Sequence, residues 1–131
     1  MRLVIDSSAA IRASSSAGAA ADLRGHELIG PPILWSEVHS AVHEALWRKQ
    51  VSSTGAEALL VAFAGLGIER RAPTRLHGES YRIATELGWA KTYDAEFVAL
   101  ARLTTSKVLT TDARLRRGAD RTGLVMDPSE L

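Results

Sequence analysis

Short apolar runs alternate with helical patterns along this chain, and that alternation constrains its fold more than any other feature. The first run, RLVID at Arg2 to Asp6, leads directly into SSAAIRA, whose serines are suited to cap a first helix. Strand character recurs in HELIG, IERRA, KVLTT and GLVMD, with helical patterns at Ala17–Leu23, about Leu34–Lys49, Ser53–Leu66, Leu76–Leu87, Asp94–Leu103 and Ala113–Arg117. This order predicts a three-layer α/β/α domain with a mainly parallel sheet of about four or five strands, in which GLVMD forms an edge.

Composition sets the remaining bounds. The chain has 131 residues, of which 46% are hydrophobic, so we expect one domain over residues 1–131. No segment approaches the roughly 18 uninterrupted apolar residues of a membrane span, and MRLVID is not a secretion signal, so we expect a cytoplasmic protein without membrane contact. Cysteine is absent, which removes disulfides, thiolate zinc sites and cysteine nucleophiles.

Two aspartates stand at the ends of predicted strands. Asp6 closes the first strand and Asp112 follows KVLTT, so both emerge at the carboxyl edge of the sheet if the two strands run parallel. Neighbouring parallel strands lie about 4.8 Å apart, and adjacent carboxylates repel each other unless a cation lies between them. The hydroxyls of Ser8 and Thr110 are placed to orient these carboxylates or waters, although serine and threonine are also common in turns and caps.

Two further acids border apolar helices. Asp94 stands immediately before AEFVALA, where it could simply cap a helix, and the same local interpretation applies to Asp112 before ARL. Glu37 lies at the edge of the apolar side of its helix at about 100° per residue, so its carboxylate borders the core. Glu44 falls on nearly the same line but roughly 10 Å further along, which is too far for the same set of direct ligands.

The donor types select the cation. The candidate ligands are four carboxylates, those of Asp6, Glu37, Asp94 and Asp112. An oxygen-rich set of this kind suits Mg²⁺ or Mn²⁺ rather than zinc. His39 and His43 have the i, i+4 spacing of zinc ligands, but they point roughly 200° to 240° away from Glu37, which favours a surface pair. A divalent ion held by carboxylates coordinates a phosphate oxygen, lowers the pKa of a bound water and stabilises charge during in-line displacement.

Four motifs follow one another along the chain: LVIDSSAAI, PPILWSEVHSAV, LGWAKTYDAEFVALA and KVLTTDARL. Together they resemble the PIN-domain family, specifically the small VapC-type ribonuclease toxins of prokaryotic toxin–antitoxin pairs. YDAEFVALA followed closely by LTTD is the specific part of the signature. The resemblance implies a parallel sheet between helices, with Thr110 as a supporting hydroxyl beside an acidic pocket of Asp6, Glu37, Asp94 and Asp112.

The resemblance also implies an activity and partners. The expected reaction is Mg²⁺- or Mn²⁺-dependent cleavage of single-stranded or structured RNA, which leaves a 5′-phosphate and a 3′-hydroxyl. A homodimer is expected. So is a cognate VapB-type antitoxin that wraps the domain and blocks the pocket, often by inserting a basic side chain among the acids.

Within this hypothesis the acids have separate roles. The three aspartates bind the metal directly, whereas Glu37 binds directly or through water and helps to polarise the attacking water. Glu96 lies about 200° around its helix from Asp94, which favours one metal site over two.

Basic and aromatic residues near the acids indicate how a substrate could bind. Arg114, Arg116 and Arg117 follow Asp112 and are placed to contact RNA phosphates, which position a nucleic acid without reading its sequence. We expect at least one of the three to lie on the solvated surface instead. Tyr93 and Phe97 flank the start of an apolar helix, so we interpret them as core. The sequence therefore predicts no aromatic platform on which bases stack.

Three alternatives compete with a nuclease. A receiver-like signalling domain needs two adjacent acids after its first strand and a lysine after the last central strand, whereas VIDSS has one acid and Lys107 precedes its strand. A phosphatase of the strand-end-aspartate type lacks its second acid, because Ser8 stands two residues after Asp6. A PIN-like fold kept as a binding module without nuclease activity is the third alternative, although all four acids are present.

Overall fold

Strands and helices alternate along the whole chain in the computed structural model, which describes residues Met1–Leu131. The strands are β1 (Arg2–Ile5), β2 (Glu27–Gly30), β3 (Glu69–Arg70), β4 (Lys107–Leu109) and β5 (Val125–Met126). The helices are α1 (Ser7–Ser15), α2 (Ala17–Asp22), α3 (Ile33–Trp47), α4 (Ser53–Gly65), α5 (Leu76–Leu87), α6 (Ala95–Thr104) and α7 (Ala113–Ala119). All predicted elements are present, and the differences lie at their ends.

The five strands form one parallel sheet in the order β3-β2-β1-β4-β5. This confirms the predicted α/β class, with β5 at an edge. In receiver-type sheets β1 lies between β2 and β3, whereas here it lies between β2 and β4, which excludes that alternative. Ile5 pairs with Leu109, so the next residues along each chain, Asp6 and Thr110, leave the sheet side by side.

Helices cover the sheet and enclose the core. Leu3, Val4 and Ile5 of β1 have no exposed surface, as expected for a central parallel strand that is covered on both faces. Helix α6 packs on β1, β4 and α5, and its residues Ala95–Ala101 are all buried. Helices α1, α3 and α4 pack against one another. None of the helices is both long and apolar enough to span a bilayer.

One helix cap differs from the prediction. Asp6, not a serine, caps α1, and its carboxylate accepts the backbone N–H of Ala9 at 2.9 Å. The reason is spacing, because β1 ends at Ile5 and α1 begins at Ser7, which leaves a single residue for the cap. Ser52 caps α4, and Gly88 ends α5 in the left-handed region at φ 71°.

Gly30 marks a close approach between β2 and α3. A Cβ atom at this position would lie 2.6 Å from Cδ2 of Leu34, a side chain with no exposed surface. We expect Gly30→Ala to lower the free energy of unfolding by about 1 to 3 kcal/mol through overpacking, measured by urea denaturation. Gly78→Ala is the control, because no atom lies within 4 Å of its Cβ position and alanine favours a helix by roughly 0.5 to 1 kcal/mol. A Gly30→Ala variant as stable as the parent would contradict the close approach.

Candidate active site

Asp6 lies at the carboxyl end of the central strand, with only 4% of its surface exposed. Its Oδ1 accepts the hydroxyl of Ser8 at 2.7 Å in addition to the Ala9 N–H, and its Oδ2 accepts the hydroxyl of Thr110. Burial raises the pKa of Asp6 above its ordinary value, the three donors oppose that shift, and the nearby charge of Asp112 adds to it. Asp6 is therefore a buried carboxylate with a fixed orientation.

Hydroxyl groups connect the ends of β1 and β4. Thr110 donates to Asp6 and accepts the backbone N–H of Asp112 at 3.0 Å, while Ser8 donates to Asp6 and accepts the N–H of Thr111 at 3.0 Å. Because both hydroxyl protons are used on Asp6, the 3.2 Å contact between Ser8 and Thr110 adds no further hydrogen bond. The structure thus places the two predicted supporting hydroxyls on the same carboxylate.

Asp112 caps the short helix after β4. Its Oδ1 accepts the backbone N–H groups of Arg114 at 2.9 Å and Leu115 at 3.3 Å. The local interpretation of this residue as a cap is therefore correct. The capping bonds leave the second carboxylate oxygen of Asp112 free. Asp112 also lies close enough to Asp6 for its charge to raise the pKa of Asp6.

Asp94 behaves differently from Asp112. It precedes α6 in a helical conformation with φ −66° and ψ −30°, makes no side-chain capping bond, and is exposed. Capping therefore does not account for an aspartate at this position.

Glu37 lies between the other acids. It is half-buried on α3, and its Oε1 accepts the hydroxyl of Ser7 at 3.2 Å. Burial raises the pKa of Glu37 above its ordinary value, the Ser7 bond opposes this, and the charges of Asp94, Asp6 and Glu96 raise it further. Together these residues form a row of mutually repelling carboxylates along the edge of the sheet.

Glu96 is a fifth acid in this row, although it lies about 200° around α6 from Asp94 and was not among the predicted ligands. It is only 8% exposed, burial raises its pKa, and His77 partly opposes the shift from 3.8 Å. Glu96 and Asp94 point in different directions around α6, but both lie in or next to its first turn. Glu37 lies near that turn, so the charges of both residues act on it. A charged residue inside the apolar pattern of AEFVALA is the signal that could have found it.

Two clefts open beside the acids. The first, of ≈ 440 Å³, is lined by Glu37, Trp89, Lys91, Tyr93, Asp94 and Arg114, among others. The second, of ≈ 650 Å³, runs between α1 and α3 and is lined by Ser7, Ser8, Ile11, Ile33, Ser40 and Glu44, among others. Glu37 and Tyr93 line both clefts.

The structure corrects one of the two aromatic assignments. Phe97 is core, with 1% of its surface exposed, but Tyr93 is 56% exposed and stands at the boundary of the clefts. Tyr93 lies in the turn before α6, so the apolar periodicity of that helix does not indicate where the side chain of Tyr93 points.

The three arginines after Asp112 separate in the structure. Arg114 lines the first cleft. Arg116 forms an ion pair with Glu130 near the C-terminus, and Arg117 lines neither cleft. Only Arg114 of the three therefore lines the first cleft, because successive residues on α7 diverge by about 100° and Arg117 lies roughly 4.5 Å further along the helix than Arg114. Lys91 supplies a second cation to the first cleft.

These oxygen donors suit a hard divalent cation only at an open site, where water or substrate completes the coordination of the ion. No group of three or more acidic or histidine side chains is arranged to enclose an ion, so a closed protein cage is absent. Mg²⁺ rarely needs one, because it usually keeps several waters and binds one or two carboxylates together with substrate phosphates. Oxygen donors without a thiolate, in a row of acids that repel one another, match that mode of binding.

Comparisons with known proteins agree with this geometry. The family model described as the PIN domain matches residues 3–121. The crystal structure of PAE2754 from Pyrobaculum aerophilum is similar, with a TM-score of 0.75, 17% sequence identity, and coverage of 99% of this chain and 91% of that chain. A search of curated proteins gave no match. With a parallel sheet of the same fold and a family match over nearly its whole length, the chain belongs to the PIN domain family, whose members are typically metal-dependent nucleases.

Proposed function

We propose that this protein is a Mg²⁺- or Mn²⁺-dependent endoribonuclease that hydrolyses RNA phosphodiester bonds. The observation that carries the proposal is the first cleft, where Glu37 and Asp94 face Lys91 and Arg114. Carboxylates that favour a divalent ion and cations that favour phosphate oxygens occur there within one open groove.

The ligands for the ion come from the row of acids. Asp94 is the exposed carboxylate with no internal hydrogen bond, and Asp112 has one unused oxygen, so these two are suited to direct coordination. Asp6 is buried and engaged by three donors, so, unlike the direct ligation expected from the sequence, we propose that it contributes mainly negative potential and orients its neighbours. When bound, the ion would polarise the scissile phosphate and lower the pKa of a coordinated water.

The remaining chemistry belongs to side chains of the chain itself. Glu37 has a raised pKa, which suits a general base that accepts a proton from the attacking water. The water oxygen forms the new bond to phosphorus while the bond to the 3′ oxygen breaks, and the 3′ oxygen takes up a proton from solvent, so the products carry a 5′-phosphate and a 3′-hydroxyl. Lys91 and Arg114 bind the non-bridging phosphate oxygens, which fixes the strand and offsets charge in the transition state.

The biological role and the partners form a narrower part of the proposal. We infer a VapC-type toxin that is neutralised by a cognate VapB-type antitoxin, and this rests on the four sequence motifs. A basic side chain of the antitoxin would meet the acids in the first cleft. A homodimer is part of the same proposal, and the exposed apolar side chains of Trp47 and Val61 are residues that a second copy could cover.

One cleavage assay tests the proposed activity. The purified chain, free of partner, is incubated with end-labelled total RNA in Mg²⁺, in Mn²⁺ and in EDTA. We expect discrete fragments with 5′-phosphates in either metal and intact RNA in EDTA. Cleavage that persists in EDTA would contradict the metal-dependent mechanism, and intact RNA under all conditions would favour a binding module without nuclease activity.

The toxin role has its own test. Expression of the chain alone in a bacterium should arrest growth, and co-expression of an antitoxin-type protein encoded immediately upstream should restore it. Absence of such a reading frame would weaken the toxin assignment and leave the nuclease assignment unaffected.

A further inference from the structure

Tyr93 is a large aromatic side chain whose position no structural role explains. It is 56% exposed, and its ring is not among the aromatic contacts of the protein, which join Phe63 to Trp35 and to His39. Exposure alone does not indicate a function for this side chain, because single exposed aromatic residues are common. Tyr81 on α5 is even more exposed, at 70%, yet it lines neither of the two clefts.

What distinguishes Tyr93 is its place between two clefts that differ in their charged groups. The first cleft has two cations, Lys91 and Arg114, beside the carboxylates of Glu37 and Asp94. The second has no cation, and its lining combines serine hydroxyls and isoleucines with the carboxylates of Glu37 and Glu44. Only the first cleft therefore offers cations to a phosphate, whereas the carboxylates of the second repel it.

A single RNA strand has matching parts. Its phosphates carry the charge, whereas its bases are flat and uncharged and its riboses carry hydroxyls. A nucleotide that crosses from one cleft to the other can leave its phosphate beside Lys91 and Arg114 and bring its base to the side with Ser7 and Ile33. The aromatic ring of Tyr93 stands at that crossing, next to Asp94.

We propose that Tyr93 is a base-stacking residue that positions one nucleotide next to the scissile phosphate. This inference rests on the proposed function and names the residue that would position its substrate, an RNA with an unpaired base at the cleavage site. A base within a duplex already stacks on both faces and offers no free face to the ring. Stacking is tolerant of sequence, because every base has a π face.

The kinetic test uses a short single-stranded RNA of defined sequence and three variants. We expect Tyr93→Ala to raise KM by about five- to 150-fold, the range of a lost base–aromatic stack, with little change in kcat because the contact is made equally in the ground state and the transition state. Tyr93→Phe should stay within about twofold of the parent, since the ring remains. Tyr81→Ala is the matched control and should behave like the parent.

Removal of the base from the RNA gives the second half of the test. An oligonucleotide with an abasic site at the stacked position should show a raised KM with the parent, and Tyr93→Ala should not raise it further. An effect of the abasic site that is independent of residue 93 would overturn the proposal. So would a Tyr93→Ala variant with the KM of the parent, or a Tyr93→Phe variant as impaired as Tyr93→Ala, which would assign the role to the hydroxyl.

A binding measurement separates this inference from the proposed function. RNA that carries 2-aminopurine at successive positions is titrated with the Asp112→Asn protein, with and without Tyr93→Ala. Fluorescence quenching at one position that requires Tyr93 supports stacking even if the parent cleaves no RNA, in which case only the proposed function fails. Cleavage by the parent without any Tyr93-dependent quenching overturns only the stacking role.

Discussion

Replacement of Asp94 by asparagine is expected to lower the rate of RNA cleavage by at least about 100-fold, because it removes a charged metal ligand whose contribution is worth several kcal/mol. The fold should not change. The carboxylate of Asp94 is exposed and makes no capping bond, so asparagine breaks no internal contact. Cleavage rates in Mn²⁺ and urea denaturation curves measure the two effects independently.

Controls make the Asp94 result specific. Asp22→Asn is the same chemical change at an exposed residue that ends α2, and it should leave cleavage unchanged. Metal binding has a separate readout, because an ion at tenfold its dissociation constant stabilises the folded state by about 1.4 kcal/mol. Mn²⁺ should raise the melting temperature of the parent by several degrees and that of Asp94→Asn by less. Equal cleavage by Asp94→Asn and the parent would show that the assigned site is wrong.

Thr110→Val should have the largest effect on stability among changes at the site. Its hydroxyl, 1% exposed, donates to Asp6 and accepts the N–H of Asp112. Valine has nearly the same shape but leaves the buried Asp6 and the half-buried Asp112 without that contact. We expect the free energy of unfolding at neutral pH to fall by about 1.5 to 3 kcal/mol, the range for a hydrogen bond to a charged group, as measured by urea denaturation.

The deficit of Thr110→Val should depend on pH with a defined sign. The pKa of Asp6 is raised in the folded state, so ionisation of Asp6 opposes folding. Its effect on stability is absent at acid pH and grows as the pH rises from the ordinary pKa of aspartate through the raised one. Loss of the Thr110 donor raises that pKa further, so the difference between variant and parent should widen as the pH rises through the folded-state pKa of the parent towards the higher one of the variant.

Thr85→Val is the matched control for the hydroxyl. Thr85 is exposed on α5 and donates only to the carbonyl of Tyr81 at 2.9 Å, so its replacement should change stability by no more than about 0.5 kcal/mol at any pH. Similar deficits for the two variants, or a Thr110→Val deficit that narrows as the pH rises, would contradict the role given to Thr110.

Much of this architecture could be predicted because its signals are local. RLVI and KVLTT are short runs that are each followed at once by an aspartate. Both form parallel neighbouring strands that end at the same edge of the sheet. Gly88 is a local signal of the same kind, because it ends α5 in a left-handed conformation at φ 71° that costs glycine little.

Details of the site could not be predicted, because they depend on contacts between distant segments. Asp94 and Asp112 have the same local pattern before a helix, yet only Asp112 uses its carboxylate as a cap. Glu96 and Tyr93 were assigned by helical angle and by the apolar character of their segment. Their positions instead follow from how the first turn of α6 faces Glu37 and the two clefts.

The sequence by itself determined the order of strands and helices, the acids and hydroxyls available at the strand ends, and the preference of those donors for a hard cation. These properties belong to residue type and spacing. Only the tertiary structure decided that Asp6 is buried while Asp94 is exposed, that Arg114 rather than Arg116 lines the first cleft, and that Tyr93 stands between two clefts. The physical reason is that burial, repulsion between carboxylates and the walls of a cleft arise from segments about 30 to 100 residues apart in the chain, which local patterns do not relate to one another.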